Sequence, residues 1–380
     1  MGAYYRVMFS DNDLIESIAE RVRAAAAANA PLRIRGGGSK DFYGEALLGD
    51  VLDTSALTGV VSYEPSELVV TARAGTPLAE LEALLAAQGQ SLPFEPPHFS
   101  AGSTVGGMVA SGLSGPARAS VGAVRDYVLG LKLLNGKGEH LTFGGQVMKN
   151  VAGYDVSRLM VGAMGTLGLM TEISLKVLPV APLEATLHFE CSQAQALDWL
   201  NAWGAQPLPL NASCWVEDKG VGTLYLRLRG AKAAVEAACK TLGDKFGGKQ
   251  GNNAEVAGDW QACRNQTLPW FDERSNAQDL WRLSVPQTAP VLDLPDTPLI
   301  EWHGGQRWVR ASAEHAQHLR SVAAAVGGSA TLFIAANSRK TWATGRFDAL
   351  KPPLDRIHRD LKREFDPAGV FNRGRMSAHW

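Results

Sequence analysis

Gly165-Thr166-Leu167-Gly168-Leu169-Met170-Thr171-Glu172-Ile173-Ser174-Leu175-Lys176-Val177-Leu178-Pro179 passes from a glycine turn into a strand rich in β-branched and aliphatic residues, and a proline closes it. Tyr154 to Met164, just upstream, reads as a helix, so the stretch predicts helix, turn and strand in that order. A dinucleotide fingerprint G-x-G-x-x-G needs the reverse arrangement, a strand before the glycines and a helix after them. Gly162-x-x-Gly165-x-x-Gly168 has the wrong spacing and runs into a strand, and no G-x-x-x-x-G-K-[ST] occurs anywhere. The common nucleotide folds are therefore disfavoured.

Two more glycine segments precede this one. Arg35-Gly36-Gly37-Gly38-Ser39-Lys40 follows a short strand, Leu32 to Ile34, and Ser100-Ala101-Gly102-Ser103-Thr104-Val105-Gly106-Gly107 leads on to Gly112 and Gly115. A dinucleotide pyrophosphate is a compact dianion. Loops hold such a group by turning backbone N–H groups inward, which requires backbone freedom and few intruding side chains. Each segment alone reads as an ordinary turn; three in one chain suggest a shared ligand.

Around them the chain alternates regularly. Ser10 and Asp13 resemble a capping box ahead of a helix to Ala28. Strands are expected at Val60–Tyr63 and Leu68–Arg73, then a helix with Thr76 as N-cap, Pro77 at its first position and Gly89 as its stop. Tyr127–Leu134 and Glu139–Phe143 form a strand pair around Asn135-Gly136. Composition shifts at Pro179-Val180-Ala181-Pro182, and beyond it strand, helix, strand, strand, helix (185–246) suggests a split βαβ layer, with a pseudo-repeat over 280–335. Three regions are expected: 1–180, 181–345, and 346–380, the last a helix and tail packing back on the first.

The 380 residues suit two or three lobes, since single cores rarely exceed about 250 residues. A formal net charge of −1 gives no basic surplus for nucleic acid. Cys191, Cys214, Cys239 and Cys263 lie 23, 25 and 24 residues apart, so no C-x-x-C pair is present for zinc or an iron–sulfur cluster. Asp11, Asp13, Glu16 and Glu20 argue for a folded helix rather than a signal peptide, and no run of 18 apolar residues predicts a membrane span. A cytoplasmic location is expected, with peripheral membrane docking left open.

At the residue level the three glycine segments resemble, in order and spacing, the FAD-contacting segments of the vanillyl-alcohol-oxidase (PCMH-type) flavoproteins. Arg125-Asp126-Tyr127-Val128-Leu129-Gly130-Leu131 and Lys149-Asn150-Val151-Ala152-Gly153-Tyr154-Asp155 are similar to the branch containing D-lactate dehydrogenases and glycolate oxidase, as is the ending Phe365-Asp366-Pro367-Ala368-Gly369-Val370-Phe371-Asn372. The resemblance implies an α+β fold: an FAD domain of two α+β subdomains, a smaller antiparallel second domain, and a C-terminal helix that returns. It also implies that Gly36, Gly37, Gly38, Ser39, Lys40, Gly102, Ser103, Thr104, Gly106, Gly107 and Gly112 hold the pyrophosphate and ribityl region. Gly165, Thr166, Gly168 and Ile173 would line the flavin or adenosine portion. Where some relatives carry a histidine that bonds FAD covalently, this chain has Ser39, so non-covalent FAD is expected.

Catalytic residues are harder to name. The related enzymes resemble one another in a histidine pair and a Glu-His-Gly element suited to a divalent metal; here only Glu301-Trp302-His303-Gly304 echoes it, and no metal site is expected. His315 and His318 are read as a solvated pair, and the tryptophans as core. The chain resembles the shorter FAD-binding subunits of bacterial glycolate oxidase (glycolate dehydrogenase). That family implies a longer FAD-containing catalytic subunit and an iron–sulfur subunit as partners, glycolate or a similar 2-hydroxy acid as substrate of the complex, and electron flow to the clusters. The alternatives are a structural assembly subunit and a stand-alone FAD-dependent hydroxy-acid dehydrogenase.

Overall fold

The computed structural model describes residues 11–46, 48–145, 154–336 and 345–377. Ser10 and most of the 149–155 motif lie outside them. Helix α1 (Asp11–Ala27) buries Ile18, Val22 and Ala25, spaced for one helical face, in a cluster with Leu32, Leu52 and Phe371. Strand β1 (Leu32–Arg35) pairs in parallel with β2 (Asp50–Asp53).

The larger sheet of this lobe is antiparallel throughout. Its strands are β3 (Val60–Glu64), β4 (Val69–Arg73), β5 (Val128–Leu134), β6 (His140–Gly144) and β7 (Leu169–Lys176), in the order β3-β4-β7-β5-β6. β7 is therefore central, which accounts for its near-continuous apolar sequence: Ile173 and Leu175 have no exposed surface. Helices α2 (Leu78–Ala86) and α3 (Val105–Ser111) contribute Leu78, Leu81, Leu85, Val105, Met108 and Val109 to the same core.

Three local expectations change. Thr76 does not cap α2; its hydroxyl bonds both backbone groups of Gly59 at 3.1 Å, and the helix starts after Pro77. The second glycine segment is not all loop, because Thr104 accepts the Gly107 N–H at 3.1 Å and caps α3. The helix expected over Tyr154–Met164 shrinks to Val156–Leu159. Gly162 and Met164 spend their N–H groups on the carbonyls of Val109 and Ala110 at 3.0 and 2.8 Å, and Met164 and Gly165 turn left-handed at φ 51° and 71°.

An eight-stranded antiparallel sheet forms the second lobe. Chain order gives β8 (Leu183–Glu190), α4 (Gln193–Gly204), β9 (Leu210–Asp218), β10 (Val221–Gly230), α5 (Lys232–Phe246), β11 (Lys249–Gln250), α6 (Asn253–Asn265), β12 (Asp279–Ser284), β13 (Leu299–Glu301), β14 (Gln306–Ala311), α7 (Ala316–Ala325) and β15 (Ser329–Ile334). The spatial order is β11-β8-β10-β9-β13-β14-β12-β15. Read by position, the halves are 4-1-3-2 and its mirror 2-3-1-4, so the split βαβ unit occurs twice. They join where Cys214 pairs with Glu301 and Trp215 with Ile300. The second unit lacks its first helix; residues 285–298 fill that place, anchored by the buried Arg307, which donates to the carbonyls of Ala289 and Pro290 at 2.7 and 2.6 Å.

Strand alternation gives this sheet two different faces. Leu224, Leu226 and Leu228 of β10 pack with residues of α4 and α5, whereas Tyr225, Arg227 and Arg229 point to the other side, where α6 and the first lobe lie. Helix α8 (Leu354–Phe365) then leads back, and Leu32 is bracketed by Val370 and Asn372 through backbone bonds of 2.7 and 2.9 Å. Among the described residues no helix is long and apolar enough to cross a membrane.

Candidate functional site

The three glycine segments, far apart in sequence, meet along one cleft open to solvent that encloses 810 Å³. Gly36, Gly37, Gly38, Ser39, Lys40, Thr104, Gly106, Gly107, Gly165 and Gly168 line it. Their approach is close enough to demand glycine: a Cβ on Gly37 would lie 1.4 Å from the Gly102 carbonyl oxygen, and one on Gly165 would lie 2.7 Å from Asn372 Nδ2. Among the described residues, the N–H groups of Gly37 to Lys40 donate to no acceptor. A set of free backbone donors beside a lysine suits a compact dianion such as the pyrophosphate of FAD.

Five expected residues do not line the cleft. Gly102 lies beneath Gly37, and Ser103 is buried with its hydroxyl 3.0 Å from Lys40 Nζ. Gly112 ends α3. Thr166 is buried, donating to the Ala163 carbonyl at 2.7 Å. Ile173 sits between Ala72 and Leu131 in the middle of the sheet. The first four position the lining from behind; Ile173 is core, because a central strand has no free face.

Sequence reasoning missed Asn372 as a wall of this cleft. Asn372 accepts the Ile34 N–H at 2.8 Å and donates to the Met164 carbonyl at 2.7 Å, tying the first and third segments together. Arg375 reaches the carbonyls of Glu45, Lys40 and Asp41 at 2.6, 3.1 and 3.2 Å, and burial lowers its pKa to about 10. Both lie in the Phe371-to-Met376 ending, whose clustered Asn, Gly and Arg were the available signal.

Several contacts hold the lobes together, and two of them are largely buried. Glu95, at φ 48°, accepts from Arg227 Nη2 on both carboxylate oxygens at 2.7 Å, and also takes a 3.4 Å contact from Arg229 and the Ala117 N–H. Burial pushes its carboxyl upward, but the two arginines and the N–H outweigh it and leave the pKa below the ordinary range. Trp302 donates to the Gly115 carbonyl at 2.9 Å, with Arg118 stacked 4.4 Å over its ring.

The Glu301-Trp302-His303-Gly304 echo comes apart in three dimensions. Glu301 is sealed in the second lobe with Cys263, Gln306 and Trp308 as donors at 3.1, 2.9 and 2.6 Å, and burial raises its pKa. His303 turns elsewhere, its Nε2 3.0 Å from Ser120 Oγ and its Nδ1 3.1 Å from Ser213 Oγ, with a pKa lowered by burial to about 4. His315 and His318 engage Ser312 Oγ and the Asp293 carbonyl separately, each at 2.9 Å. A second cavity, of 1170 Å³, opens among Tyr225, Trp260 and Trp270, but Glu217, Asp218, Asp259 and Glu273 edge it against Lys219 alone, a field that repels a small carboxylate.

Fold and cleft together define an FAD-binding protein with the PCMH-type fold. A family model described as "FAD binding domain" matches residues 13–144. Solved structures of p-cresol methylhydroxylase and of 4-ethylphenol oxidase from Gulosibacter chungangensis superpose with TM-scores of 0.73 and 0.69. They cover 96% of this chain and 88% and 87% of theirs, at 14% and 13% identity. The chain is 45% identical over 372 residues, 98% of its length and 99% of the relative's, to glycolate oxidase subunit GlcE of Escherichia coli (strain K12). It is 32% identical over 139 residues to glycolate oxidase subunit GlcD of Bacillus subtilis (strain 168), covering 37% of this chain and 29% of that one. The chain belongs to the GlcE family of glycolate oxidase subunits, FAD-binding proteins of the oxidoreductase class.

Proposed function

We propose that this chain is the FAD-binding subunit of a multi-subunit glycolate, or more broadly 2-hydroxy-acid, dehydrogenase, and that its cofactor passes electrons toward an iron–sulfur subunit. A longer FAD-containing subunit of the same complex would carry the substrate chemistry. Residues 1–180 would hold the cofactor, 181–345 would meet partners and 346–380 would close the first lobe; the complex would lie in the cytoplasm, docked peripherally at the inner face of the membrane. Bound FAD supplies a two-electron acceptor that can also release single electrons. The fifteen residues expected from the sequence serve the site in two ways, ten as lining and the others, Ile173 excepted, as backing. Ser39 in the first glycine segment, where some relatives carry the linking histidine, supports non-covalent FAD.

One observation carries the relay reading over independent catalysis: Glu301 and His303, the echo of the Glu-His-Gly element of the related enzymes, are committed to different partners. What this chain's residues do is bind, orient and shield the cofactor. The test is to purify the chain with its co-expressed partner subunits and mix the complex with glycolate. Flavin bound to this chain should bleach and reoxidise within turnover, and acid precipitation should leave the flavin in the supernatant. If the complex turns over while this flavin stays oxidised, the relay reading is lost. Turnover by the isolated chain with an artificial acceptor would overturn it in the other direction.

A further inference from the structure

We propose that Lys40 holds its ammonium free of any carboxylate for the pyrophosphate of the cofactor, and that FAD binding is coupled to the protonation of its side chain. The inference rests on the assignment of the cleft to FAD, and adds to it how the site senses charge.

Among the described residues, three cationic side chains line the cleft. Arg35 is already paired with Asp41 at 2.8 Å, and Arg375 is held by three backbone carbonyls that fix its guanidinium behind the first loop. Lys40 is held more lightly than either: its Nζ donates to two hydroxyls, Ser103 at 3.0 Å and Ser39 at 3.2 Å, and has no carboxylate or carbonyl partner among the described residues. The ammonium also lies over the face of the Phe99 ring, 5.6 Å from its centroid. Lys40 thus bridges the first and second glycine segments at the point where four N–H groups are free.

The groups facing Lys40 make this arrangement costly without an anion. Asp41 on its own loop is spent on Arg35, Tyr43 accepts from Arg282, and Arg264 of α6 approaches from the second lobe while pairing with Glu82. Burial first, and Arg264 second, lower the Lys40 pKa to about 8. A pyrophosphate in the cleft would reverse both influences by offering a hydrogen-bond acceptor and two negative charges. The pKa would then rise on binding, so FAD should bind with uptake of a proton, up to about half a proton per FAD near pH 8. Affinity should be highest below pH 8 and fall as pH rises above it.

The test uses full-length protein stripped of flavin, titrated with FAD by calorimetry at pH 8 in buffers of different ionisation enthalpy. The wild type should take up a proton fraction. K40M should bind FAD about tenfold or more weakly, the loss of one charge-assisted bond to phosphate, without proton uptake. K40R, always charged, should retain affinity but take up no proton. Wild-type binding with no proton uptake overturns the inference even if K40M fails to fold, and so does unaltered, proton-linked binding by K40M. Failure of the wild type to bind FAD at all would instead remove the assignment of the cleft.

Discussion

The ammonium of Lys362 donates to the backbone carbonyl of Thr166 at 2.7 Å, across 196 residues of sequence. The same Nζ bonds Asp366 at 2.6 Å and the Phe371 carbonyl at 3.0 Å, while Asp366 accepts the N–H groups of Val370 and Phe371. A buried lysine on α8 therefore fixes the third glycine segment and the chain's return to β1 at once.

Replacing Lys362 by Met should be strongly destabilising, because it orphans two carbonyls and leaves Asp366 charged without its counterion. Breaking one partner of a buried pair costs roughly 3–5 kcal/mol. Urea unfolding should show that loss, with FAD retention falling in parallel. A stability within about 0.5 kcal/mol of wild type, the range of surface substitutions, would show that the network is dispensable.

Gly37→Ala should abolish assembly of the cleft, since the new methyl would collide with the Gly102 backbone rather than with a movable side chain. Soluble protein, if obtained, should be colourless, which an absorbance spectrum checks directly. Alanine at Gly258 on α6, where an added Cβ meets nothing within 4 Å and the backbone is ordinary helix, controls for general effects of glycine loss.

Glu95→Gln should loosen the two lobes. Because the folded carboxyl titrates below its unfolded value, its stabilisation is fully present above the ordinary glutamate range and is lost as pH falls through the folded pKa. The wild type should therefore lose stability on acidification over that window more steeply than the glutamine variant. Parallel pH profiles in denaturant unfolding would contradict the assigned role.

His303 should not titrate between pH 5 and 8 in the folded protein, because burial lowers its pKa to about 4. The unfolded chain takes up this proton near pH 6.5, so His303 costs stability progressively from there down to about pH 4. Imidazole NMR shifts constant across the neutral range would bear this out; a midpoint near 6.5 would not.

The elements that bring the cleft together were legible to different degrees. Glycines at 36–38, 106–107 and 165–168 announce themselves, because close backbone approach excludes almost every other residue. Ile173 misled for the opposite reason: an aliphatic residue in a strand looks the same whether the strand borders a ligand or lies between two others. Asn372 was hidden by distance, since its partners Ile34 and Met164 are 338 and 208 residues away and no local periodicity encodes such a bond. The helix at Tyr154–Met164 was overestimated because its donors go to α3, a tertiary choice that local propensity does not contain. The doubled split βαβ unit was partly visible, yet its mirrored order depends on the pairing of β9 with β13, which only the folded sheet fixes.

The bracketing of Leu32 by Val370 and Asn372 also sets an order of events during synthesis. A chain emerging from the ribosome makes all three glycine segments within its first 168 residues, but the asparagine and arginine that complete the cleft come about 200 residues later. The nascent first lobe must wait, incomplete, while the whole second lobe is translated. Loading of the cofactor should therefore follow synthesis of the second lobe, and a chain truncated ahead of Asn372 should lack the bridge between the first and third glycine segments.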